Sequence, residues 1–96
     1  MNDYTEKIID LGDSHSMSFL TYKDDPRAGL NVYHKKPDGS DCAGFITLDG
    51  SAWAKEFTSI PVWQVVSAEP LTITPSLLCI VCGDHGFIRD GKWVRA

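Results

Sequence analysis

Ninety-six residues, 43% of them hydrophobic, 10% aromatic and 23% charged, make up one soluble globular domain, 1–96, near the lower size at which a core alone holds a fold. No run approaches the roughly 20 consecutive apolar residues of a membrane span, and the start lacks the basic and apolar stretches of a secretory signal, so a cytoplasmic protein is expected. A formal net charge of −4, with acid in excess up to Gly50 and the remainder neutral, offers no basic patch and disfavours direct nucleic-acid binding.

The predicted elements are mostly strands, because short β-branched and aromatic runs broken by Gly, Pro, Asp and Ser recur along the chain while helical periodicity stays weak. Tyr4 to Leu11 reads equally as a strand or a short helix. Met17 to Tyr22 alternates as a strand and stops at the turn signal Asp24-Asp25-Pro26. Leu30 to His34 follows, with Leu30, Val32 and His34 on one face. Lys36-Pro37-Asp38-Gly39 suits a type I turn and predicts a hairpin into Gly44 to Leu48, which Asp49-Gly50 ends.

Ser51 to Phe57 is the best helical candidate, capped by Ser51 and carrying Trp53 and Phe57 four residues apart. Val62 to Val66 is the strongest strand. Pro70 to Pro75 alternates like a strand, and its two prolines confine it to an edge or to an extended crossing segment. Leu77 to Val81 and Gly86 to Ile88 flank a Cys-Gly-Asp-His turn as a hairpin. Asp90-Gly91 turns the chain once more into Lys92 to Arg95. The expected fold is therefore β-rich, a single antiparallel sheet of hairpins with one or two short helices. Trp63 is expected in the core and Trp93 partly exposed.

Three cysteines cannot all pair internally, and two of them stand in Cys79-Ile80-Val81-Cys82, a spacing that wraps around one metal ion. Gly83 lets the backbone turn so that amide N–H groups face the thiolates of a zinc knuckle. His85 is near enough to be a third ligand. Cys42, just after the Pro37-Asp38-Gly39-Ser40 turn, is the natural fourth, with His34 the spare because it ends a strand shortly before Cys42. Cys42, Cys79, Cys82 and His85 would close a tetrahedral structural Zn²⁺ site with no open position for a catalytic water. His15 reads as a solvated loop residue. Two rival readings of the Cys-x-x-Cys are inert buried thiols and a redox pair; the latter wants its first Cys at a helix N-terminus, whereas Leu77-Leu78 and Gly83 point to a β-turn.

Pro75-Ser76-Leu77-Leu78 with Cys82-Gly83-x-His85-Gly86-Phe87-Ile88-Arg89-x-Gly91-x-Trp93 resembles the closing segment of an uncharacterised family of small bacterial and phage proteins. The resemblance covers about the last fifth to quarter of the chain, with a weaker echo at Cys42 to Leu48. It implies that Cys82 and His85 belong to one site, joined by an upstream cysteine matching Cys42. The family's fuller upstream cluster of closely spaced cysteines is missing here, and the resemblance implies no reaction.

Enzyme signatures are absent: there is no Gly-x-Ser-x-Gly, no phosphate-cradling Gly-rich loop, no His-Glu-x-x-His and no deaminase His-x-Glu. The surplus of acid lies up to Gly50, with Asp3, Glu6, Asp10, Asp13, Asp24, Asp25, Asp38, Asp41 and Asp49 against Lys7, Lys23, Arg27, Lys35 and Lys36. An acidic face repels nucleic acid and attracts a basic protein surface. The expectation is a non-catalytic zinc-binding protein-interaction module. In its most specific form it is a phage-encoded acidic inhibitor, working in the host cytoplasm on a nucleic-acid-handling complex such as a CRISPR effector. The alternative is a small zinc metalloenzyme, with Asp84 or His85 as acid or base, or a Cys-x-x-Cys redox protein.

Overall fold

The computed structural model describes residues 7–96 and is β-rich, as the alternating sequence pattern predicts. Among the described residues nine strands run in chain order: β1 Ile9–Gly12, β2 His15–Tyr22, β3 Asp25–Lys35, β4 Asp41–Leu48, β5 Val62–Ala68, β6 Leu71–Thr74, β7 Leu77–Leu78, β8 His85–Arg89 and β9 Lys92–Arg95. One short helix, α1 Ala52–Glu56, lies between β4 and β5. The segment left open between strand and helix resolves as a strand over Ile9–Gly12, and its residues up to Glu6 lie outside the described residues.

Two sheets form rather than the expected one: six strands in the order β1-β2-β3-β4-β5-β6, and three in the order β7-β8-β9. Every pairing is antiparallel except β4 with β5, where Thr47 meets Val62 and Leu48 meets Trp63 in parallel. The cause is the connection. Asp49-Gly50 does not turn the chain straight back; Ser51 caps α1, its side chain accepting from the Ala54 N–H at 3.1 Å, and the helix carries the chain across before β5 begins. Proline confines β6 to the edge of the larger sheet, as its sequence requires.

The sheets share one core of Leu11, Met17, Leu30, Val32, Ile46, Leu48, Leu71, Ile73, Leu77, Ile88 and Trp93. Burying apolar surface on both sheets at once is what holds the small sheet against the large one. Polar ties add to it: the Gly91 N–H donates to Leu71 O at 2.8 Å. Arg95 grips Asp13 with two N–H donors, at 2.6 and 3.1 Å.

Two tryptophans exchange the places expected of them. Trp93 is 7% exposed because it pairs with Ile88 across the β8–β9 hairpin, and cross-strand partners share a face. Trp63 is only half-buried, packs against the rim of the core and donates its indole N–H to Ser76 O at 3.1 Å.

Candidate metal centre

Two turns meet at one end of the molecule. The first is the β3–β4 turn, closed by the Gly39 N–H donating to Lys36 O at 2.8 Å. His34 and Cys42 stand on either side of it as direct cross-strand partners. Since alternate residues of a strand face the same way, His34 continues the inward row of Leu30 and Val32, and Cys42 lies opposite on that face.

The second turn joins β7 to β8. The Cys79 N–H donates to Asp84 O at 2.8 Å and the Gly83 N–H to Cys79 O at 2.7 Å, folding Ile80, Val81 and Cys82 into a tight loop. Gly83 has φ +81°, a left-handed conformation that a side chain would disfavour. The amides of Val81 and Cys82 face the Cys79 sulfur, which is the arrangement expected of a knuckle.

The fold brings His34, Cys42, Cys79 and Cys82 together, one ligand atom from each, all within 4.8 Å of one another. Cys42 Sγ and Cys79 Sγ are 3.7 Å apart, and Cys82 Sγ lies 3.3 Å from His34 Nε2. A tetrahedron with metal–sulfur bonds near 2.3 Å and a metal–nitrogen bond near 2.0 Å has edges of about 3.8 Å between sulfurs and about 3.5 Å between sulfur and nitrogen. The two shortest of these separations are close to such edges, and the four residues could hold a metal ion.

The electrostatics divide the thiols. Burial opposes ionisation of Cys79, yet the Cys82 and Val81 amides and the His34 ring outweigh it and hold this thiol at about 6. Burial, aided by the neighbouring Cys79 and Cys82 sulfurs, pushes Cys42 up to about 11. A ready thiolate at Cys79 beside a protonated Cys42 suits a cation, whose binding displaces the Cys42 proton.

The structure leaves His85 out of this cluster. Leu77 pairs with Gly86 and Leu78 with His85; Leu77 is buried, so Leu78 and His85 point the other way, and both are exposed. The His85 Nε2 instead lies 3.0 Å from Ser76 Oγ. His34, the spare of the sequence reading, occupies the fourth place. Its signal was present in the inward row Leu30, Val32, His34.

His15 is likewise not a solvated loop residue. It begins β2, is 6% exposed, and stacks on Trp93 with centroids 4.1 Å apart and planes 8° apart. Its Nε2 binds Asp84 Oδ2 at 2.7 Å and its Nδ1 lies 2.6 Å from Asp13 O. The His34 ring stacks beyond it at 5.7 Å. Asp84 is thereby engaged in pinning the knuckle to β2, a connection that no local sequence spacing signals.

No protein-family model matches the chain, nor does a curated protein or a solved structure. No described helix is long and apolar enough to cross a membrane.

Proposed function

We propose that this chain is a non-catalytic protein-interaction module built around a structural Zn²⁺ held by His34, Cys42, Cys79 and Cys82. The observation that carries the reading is the cluster of one imidazole and three thiols within 4.8 Å of one another, with one sulfur–sulfur and one sulfur–nitrogen separation close to the edges of a zinc tetrahedron. Three sulfurs and one imidazole suit zinc, and four protein ligands leave no position for a substrate or a water. The bond to His15 and the outward turn of His85 also draw away the two groups a catalytic alternative would use.

The metal ties the knuckle to the β3–β4 hairpin and so gives a fixed shape to the knuckle's tip, where Ile80 is 92% and Val81 69% exposed. Apolar side chains held rigidly in water favour a protein partner, and the surplus of acid favours one with a basic surface. The narrower reading, docking on a nucleic-acid-handling complex such as a CRISPR effector, draws only on that acidity and on the sequence resemblance.

Elemental analysis of protein purified without chelator tests the reading. One zinc per chain, with a melting temperature that falls by about 15 °C or more when a strong chelator removes it, is expected for a site that binds the folded state alone. Metal-free protein with an unchanged melting temperature contradicts it.

A further inference from the structure

Strand β4 is open along part of one edge. Its partner β5 joins it only at Thr47 and Leu48, so Asp41 to Ile46 have β3 on one side and no described strand on the other. Two hydrogen bonds fix which backbone groups face the open side. The Lys36 N–H donates to Ser40 O at 2.8 Å across the β3–β4 turn, and since the bonds of an antiparallel ladder recur at every second pair, Cys42, Gly44 and Ile46 are the residues that bond to β3. The Asp49 N–H donates to Trp63 O at 2.8 Å, which puts Thr47, Phe45 and Ala43 in the row that faces away from β3. Short of β5, the N–H and C=O groups of Ala43 and Phe45 therefore point at no strand.

Natural sheets guard such an edge with proline or charge, because a free row of ladder groups pairs with any extended chain. Ala43-Gly44-Phe45 carries neither, and all three residues are exposed. Two hollows flank this stretch. On the inward face, where Gly44 stands in the row of Cys42 and Ile46, a cavity of about 120 Å³ opens towards Leu77 and Leu78 of β7. On the other face, where Phe45 stacks on Trp53 with centroids 5.7 Å apart, a groove of about 400 Å³ runs past Phe57 and Pro61. Both reach Phe45, Ile46 and Trp63, so they meet at the edge. Adjacent side chains of an extended chain point to opposite faces of a sheet, and a chain laid along β4 here would send one into each hollow.

We propose that β4 takes an extended segment of a protein partner as an added strand along Ala43 to Phe45, with two adjacent apolar side chains seated in the two hollows. The rings that line the outward groove suit an aromatic side chain, and the smaller inward cavity suits an aliphatic one. Around this edge Asp38, Asp41, Asp49 and Asp84 outnumber Lys35 and Lys36, and the Asp41 side chain is 88% exposed, so basic residues at the ends of the segment are favoured. The proposal rests on the reading of the chain as a protein-interaction module and adds a contact surface beside the knuckle's tip.

The test is an NMR titration of isotope-labelled protein, as purified, with the synthetic peptide acetyl-Lys-Thr-Leu-Phe-Thr-Lys-amide. Saturable shifts of the Ala43 and Phe45 amide resonances are expected, with slower exchange of both N–H groups with solvent. The same peptide N-methylated at Leu and Phe keeps its side chains and loses its central donors, and is expected to bind about tenfold more weakly or worse. Ala43→Pro removes an edge N–H that β3 does not use; it is expected to keep one zinc per chain and to weaken binding by about tenfold or more. The proposal is overturned if the peptide at millimolar concentration leaves the two amides unmoved, if the N-methylated peptide binds equally, or if folded Ala43→Pro binds as well as the parent. The N-methylated peptide decides the matter where that variant does not fold. A dimer that forms with rising concentration and is lost in Ala43→Pro assigns the edge to a second copy and also overturns the proposal. Zinc content is measured on each sample, so failure of the edge with zinc in place is distinguished from failure of the metal centre.

Discussion

His34 and Cys42 face each other across the β3–β4 hairpin, eight positions apart in sequence and directly opposed in register, on the face that also receives the core. Opposed residues in an antiparallel pair have Cβ atoms about 5 Å apart. A turn as short as Lys36 to Ser40 thus presents half of the candidate metal site already assembled. The other half is the knuckle Cys79 to Cys82, and each half is local while their meeting is not.

Replacing either His34 or Cys42 by a residue that cannot ligate is therefore expected to abolish metal binding. His34→Ala is expected to lose zinc and melt with the chelated parent, whereas His34→Cys, which supplies another ligand at the same register, retains one zinc per chain. His85→Ala is expected to keep its zinc and to change stability by no more than about 0.5 kcal/mol, as an exposed position should. Elemental analysis and thermal melting of the three variants check this.

The thiols of the metal-free protein separate by pH. Only a thiolate is alkylated. Cys79, held at about 6, is ionised at neutral pH and Cys42, at about 11, is protonated. Iodoacetamide is expected to label Cys79 well before Cys42 at pH 7. The Cys79 rate falls as pH is lowered through about 6, and the Cys42 rate climbs only as pH rises towards 11. Peptide mapping by mass spectrometry reads both, and bound zinc is expected to protect both.

Much of the fold was legible in the sequence because alternation, proline and turn chemistry act locally. Val62 to Val66, the proline-bounded edge strand and the capped helix all stand where their residues require. The Cys-x-x-Cys-Gly knuckle was legible for the same reason. The choice between His85 and His34 was not, because nearness in sequence competes with the direction in which a strand points each side chain. A two-residue strand at Leu77–Leu78 fixes His85 outward through its pairing alone. Trp93 and His15 were misplaced for a related reason: their burial depends on the second sheet closing over the first, which no short window encodes.

His15 is a positioning residue for the knuckle. In His15→Phe the ring can still stack on Trp93, but Asp84 loses its partner. Zinc affinity, measured by competition with a chromophoric chelator, is expected to fall about fivefold, the equivalent of a net hydrogen bond of about 1 kcal/mol. His15→Ala, which also loses the stack, is expected to fall further.

Gly86 is required by packing. A Cβ there would stand 2.5 and 2.6 Å from Cζ2 and Cε2 of Trp93 and 2.7 Å from Val94 O. The indole is buried, and Val94 O is backbone that cannot swing aside. Gly86→Ala is expected to cost about 1–3 kcal/mol in denaturant unfolding, with the metal stoichiometry unchanged.

The most direct measurement is a cobalt(II) titration of the metal-free protein, followed by its visible absorption. Uptake of one Co²⁺ per chain with the intense bands of tetrahedral thiolate coordination, retained in His85→Ala and lost in His34→Ala, is the predicted result. Weak octahedral bands, or a tetrahedral spectrum that survives His34→Ala and disappears in His85→Ala, would contradict a site completed by His34.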